Sequence, residues 1–468
     1  MSGKSSNILS VAVATSVNGG GDQDTNFLPQ PDLGGLTYVG MSVVEGAVGA
    51  FAADELFHEE NHGRRTPGQD MPVAIGVRNT TGSDKFGAPD GEFIRVMYPD
   101  SIEVQHRFRT PGGADPESYG FGKILGSSFA LYKPSAASVT APSAGAIDGT
   151  TFQVDAGDVA KLAVGAPIRR RIANTQLDEY AIVTQIGAEN AGEHAVTVHP
   201  RFSSQVALGQ VITLCYGFFP VVGLADTRLL KDFHLRLDVG GVGSDATVRR
   251  TASLCRCSGF SIAQDNYGAS LTMRAKPACM YPDSSANAST ITTSEPPGDL
   301  LQHRFGCRVD LAASHTGSAA PLSLARATLA NFDWSVDVSA DVSPSSPDTR
   351  GILQANSMEI NNSTCEVTIT SENSEELQRM IAKGERRTLI LGMGPSSSDN
   401  SQGGAFIVMN AARADGSANP VGGDNNRLQQ ETKLRAVADS THCNTSGLDA
   451  AGLRLATAPF MLVLPRKD

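Results

Sequence analysis

Apolar residues recur at every second position through much of the chain, a period that belongs to β-strands with one wet face. Phe233, Leu235, Leu237 and Val239 alternate with His234, Arg236 and Asp238. Further on, Phe332, Trp334, Val336 and Val338 alternate with Asp333, Ser335 and Asp337. The two segments, DFHLRLDV (232–239) and NFDWSVDV (331–338), share Phe, Asp and Val at equal offsets. Two copies of one β-sandwich unit would produce that echo; the competing explanation is that any two amphipathic strands look alike. The 48 glycines and 24 prolines among 468 residues suit a turn-rich β protein better than a helical bundle.

Between the two echoing strands and the N-terminal region lies a block of short, evenly spaced elements. A tract rich in Ser, Ala, Pro and Gly, 134–149, reads as a linker. Strands are expected at 150–154, 166–172, 180–186, 195–199 and 210–216, punctuated by Gly157, Gly165, Gly187, Gly192 and Gly209. Five short strands in so little chain suggest a small β-barrel inserted into a larger domain. Upstream, the turn Pro89-Asp90-Gly91 precedes a strand at 92–98.

The clearest helix lies in the second half. Asn373 stands three residues before Glu376 in a capping arrangement. Leu377, Met380 and Ile381 fall on one face, Lys383 suits the C-terminal end of the dipole, and Gly384 can close the helix. Strands are expected on either side at 357–360, 365–370 and 387–391, and later at 406–411, 432–437 and 453–464. The loops 395–404 and 414–426 are long and polar.

The chemistry on offer is thin. His58-Glu59-Glu60-Asn61-His62 matches H-E-x-x-H formally, but Glu60 and Asn61 are polar where a zinc-protease helix is buried, and Gly63 would end the helix at the second ligand. Cys255 and Cys257 are too close for a C-x-x-C pair and read as small buried residues. Arg169, Arg170 and Arg171 fall in a strand of the small barrel, with Arg169 and Arg171 on one face and Arg170 on the other, a solvated edge or interface rather than a phosphate cradle. Gly240–Gly243 and Gly120-Phe121-Gly122 lack a dinucleotide-binding context, and neither a P-loop nor a G-x-S-x-G elbow is present. Asn79, Asn287, Asn362 and Asn444 open sequons that mean little without secretion. The expectation is a non-enzyme with no catalytic residue, no cofactor and no metal. A net charge of −11 excludes a basic grip on a phosphate backbone. Seven cysteines, Cys215 to Cys443, do not form a disulfide framework and point to a reducing compartment. The apolar stretch 8–13 is a poor signal peptide and 214–225 is too short to span a membrane.

From about Leu329 to Pro465 the order of features resembles the major tail tube proteins of long-tailed, siphovirus-type bacteriophages. The features are the strand F-x-W-x-V-x-V (332–338), a glycine-bearing loop near Gly351, the strands 357–360 and 365–370, a short helix at 374–383 and a return strand at 388–391. The resemblance implies a mainly β fold: two tail-tube-like sandwich or barrel units, each with a short helix, plus the small inserted β-barrel. The implied boundaries are 1–137 with 221–290 for the first unit, 138–220 for the barrel and 291–468 for the second. It further implies a virion protein made in the host cytoplasm, self-association into trimeric, pseudo-hexameric rings stacked as a tube, and contacts with tape-measure, tail-terminator and distal tail proteins. DNA would pass through the lumen without sequence-specific binding, and no membrane is involved. An acidic wall suits that role, because it repels DNA and lets it slide. The segments 1–32 and 63–68 are candidates for reaching neighbouring rings. Other readings are a β-sandwich adhesion or carbohydrate-binding protein, a head-decoration or tail-terminator protein, and an enzyme using His58 and His62. One tryptophan and eight tyrosines count against the carbohydrate reading.

Overall fold

The computed structural model describes residues 115–116, 120–172, 178–220, 375–395, 404–414, 429–438 and 441–465. Elsewhere it describes strands at 7–12, 39–40, 54–57, 73–78, 92–97, 102–107, 233–240, 248–265, 268–276, 279–283, 293–294, 301–302, 308–312, 321–323, 328–347, 353–372 and 421–422. The fold is mainly β, an antiparallel network of 23 strands with two small separate sheets and few helices.

Two sheets make the main body. In the first, neighbouring strands follow the order 102–107, 268–276, 256–265, 328–335, 364–372 and 429–436. In the second the order is 129–132, 217–220, 460–465, 405–414, 386–395, 308–312 and 321–323. Ala412–Ala414 pair with Leu434–Ala436 and join the sheets at one margin. Side chains from both sheets share one core, where Phe129 meets Phe260 and Phe460 edge-on at 5.7 and 5.9 Å. Two helices, α1 (Gly120–Gly126) and α2 (Glu375–Lys383), contribute Ile124, Leu125, Leu377 and Met380 to it. α2 ends in a Schellman motif: Glu385 N–H donates to Met380 O, Gly384 N–H to Ile381 O, and Gly384 takes φ +62°. The capping residue Asn373 lies outside the described residues.

The second sheet is buried on both faces. Phe406, Val408, Met461 and Val463 turn away from the main core toward Tyr180, Ile182, Phe219 and Leu455. Burial on both sides explains why 405–409 and 460–464 read as unbroken apolar runs instead of alternating.

The small block forms a six-stranded antiparallel ladder in the order Thr151–Asp155, Glu193–His199, Asp178–Asn190, Pro167–Arg171, Val211–Leu214 and Ser138–Thr140. It has its own core, including Phe152, Val154, Ile168, Val183, Val198, Phe202 and Ile212. The strand Val211–Pro220 belongs to both units. Its residues 211–214 pair within the small ladder, and from Cys215 onward it pairs with 460–465 and 129–132.

Three expectations change here. Residues 134–149 are not a linker. Ser138–Thr140 form an edge strand, Ala141 N–H donates to Gln210 O, and Val139 and Ala141 are buried. The tract's small side chains let it lie flat along the sheet. Residues 453–464 are not one strand: 450–456 form helix α3 (Ala450–Ala456), and the strand begins at Phe460. Asp449 starts α3 by accepting the Gly452 N–H at 2.7 Å, a cap that the L-R-L alternation concealed. The strands 332–338, 357–360 and 365–370 are parts of a single hairpin, Thr328–Pro347 with Leu353–Glu372. Pro344 and Pro347 both fall where the ladder's register shifts between Val342 and Pro347, where a missing N–H costs least.

Candidate functional site

The 328–372 hairpin is the feature whose form most needs a functional explanation. At its base it is a central element: 331–335 pair with 259–263, and 366–372 pair with 429–436. Beyond Val336 the situation reverses. Residues 336–347 and 353–363 pair only with each other among the described residues, through contacts such as Val338 with Ile360 and Asp341 with Ser357. About ten residues per strand at roughly 3.3 Å each make an arm on the order of 30 Å long. Strands 92–97 and 279–283 approach the 353–372 strand without pairing to it. Among the described residues no further strand pairs with either outer edge of the arm.

The two echoing segments sit in equivalent settings. Residues 233–239 pair with 248–255, and 331–335 pair with 259–263, so both run along one long strand in the same direction. Both lie on the edge opposite 268–276 and 279–283, which pair with the other side of that strand.

A polar seam binds the small ladder to the main body. His199 Nε2 lies 2.7 Å from Thr388 Oγ1, and the Thr388 hydroxyl donates to Asn410 O at 2.9 Å. Asn410 Nδ2 donates to Ala458 O, and Asn444 N–H donates to Thr184 O. His442 lies beside His199 with ring centroids 6.4 Å apart, and Tyr180 stacks on Phe406 at 4.0 Å. None of these partners announces itself in sequence, since each is a single polar residue with no motif around it. Only their burial pairs them.

The residues singled out earlier fall as follows. His58, Glu59 and His62 lie outside the described residues, as do 63–68 and, apart from the strand Asn7–Ala12 paired with 233–240, the segment 1–32. Cys255 and Cys257 are buried in the main core, and burial pushes the Cys257 thiol up to about 12, so it stays protonated. Cys443 is likewise pushed up to about 12 by burial. Gly120 and Gly122 lie in α1, and Asn444 sits in an exposed turn. Arg169–Arg171 do form a strand with the expected alternation, but Arg169 and Arg170 are 5% and 4% exposed, so the solvated reading is wrong for both. Arg170 points inward over the Phe202 ring and donates to Ser204 O, Ser204 Oγ and Gln205 O. Burial lowers its pKa, and Glu179 opposes that shift. Among the described residues no three His, Cys, Asp or Glu side chains are grouped to hold a metal, and no helix is long and apolar enough to cross a membrane. No protein-family model matches the sequence, and no curated protein matches it.

Proposed function

We propose that this chain is a structural protein that assembles into stacked rings forming the tail tube of a long-tailed bacteriophage, a conduit through which DNA leaves the particle. The observation that carries this reading is the 328–372 hairpin, whose outer half pairs with no third strand among the described residues. An edge of that length without a partner is a liability in a monomer and an asset in a polymer, where a neighbouring chain continues the sheet. A repeated motif supports a duplicated unit. α1 leads into the antiparallel pair 129–132 and 217–220, as α2 leads into 386–393 and 405–413. The strand Phe460–Pro465 sits between the two pairs. In this reading the small ladder is a barrel inserted between the strands of the first pair. Three chains, each with two such units, make a ring with the symmetry of six, and the chain works by assembly with itself and other tail proteins instead of by catalysis.

The test is negative-stain electron microscopy of purified protein over a range of concentrations. Rings or tubes with a central hole wide enough for one DNA duplex are expected. Monomers at every concentration, including after seeding with phage tail ends, would overturn the proposal.

A further inference from the structure

We draw no further inference here: the strongest candidate, the apolar surface that Ile147 and Leu208 present on the turns 146–149 and 207–210 of the small ladder, carries nothing because nothing in the structure shows what covers it.

Discussion

The small ladder and the outer half of the long hairpin are both antiparallel β-structure, and they meet the same requirement in opposite ways. Six strands of the ladder curl around Phe152, Phe202, Val183 and Ile212, and its other face is sealed by Phe406, Met461 and Leu455. Four of the six strands there have a partner on both sides. Among the described residues the outer hairpin has two strands and no third, and its register shifts three times between Val336 and Pro347. A two-stranded ribbon is marginal in water by itself. The ladder is therefore a part that the chain completes alone, whereas under the proposed function the arm is a part that a neighbouring chain completes.

Removing the arm gives the sharpest contrast. Ser339 is paired with Glu359, so replacing 340–358 by Asn-Gly closes the hairpin at an existing pair with a turn suited to two-residue connections. The shortened chain should keep the β-rich circular dichroism and unfolding midpoint of the parent but form no rings by sedimentation or microscopy. Rings that form as before would show that the arm is not the joint. In the ladder the opposite pattern is expected: Phe152→Ala should cost about 3–5 kcal/mol in stability measured by urea unfolding. Because Val211–Pro220 is shared with the main sheet, that loss should shift one cooperative transition rather than create a second. A separate early transition would mean that the ladder folds independently.

The same contrast explains what could be read from the chain in advance. The strand 365–370, with its alternating burial, and helix α2, closed at Gly384, were legible because alternation and helix termination are local signals. The ladder's strands were legible from glycine spacing. Ser138–Thr140 was not, since an edge strand of small residues has the composition of a linker. The length of the hairpin was hidden by Pro344 and Pro347, because sequence cannot show that a proline falls at a register shift. The burial of Arg169 was hidden for another reason: alternation gives the face but not what covers it. The seam at His199 is purely tertiary, joining residues 189 positions apart.

That seam offers the next test of how firmly the ladder is fixed. The Thr388 side chain is completely buried, meets His199 Nε2 and donates to Asn410 O. Thr388→Val keeps the shape and removes the hydroxyl, stranding two buried polar groups at a cost of about 1–3 kcal/mol. If the ladder were loosely attached, water would enter and the cost would fall toward zero. Chemical denaturation of Thr388→Val beside the parent separates the two outcomes.

The smallest effect lies at the base of the arm, where a third strand is present. Glu366 accepts from Lys433 Nζ at 2.6 Å and Arg435 Nη2 at 2.7 Å across the pairing of 366–372 with 429–436. Hydrogen bonds from these two cations hold its carboxyl below the ordinary value of 4.5. A carboxyl whose folded value is lowered stabilises the protein above its unfolded value, and the benefit disappears as pH falls through the folded one. The side chain is half-buried and both partners are exposed, so the contribution at pH 7 should be below about 1 kcal/mol. Glu366→Gln should therefore lower the urea midpoint slightly at pH 7, and the gap to the parent should close as the medium is taken below 4.5, where the parent's own carboxyl becomes neutral. A gap that stays constant with pH would show that Glu366 acts through packing and not through charge. The base of the arm would then be held by the same apolar contacts as the rest of the sheet.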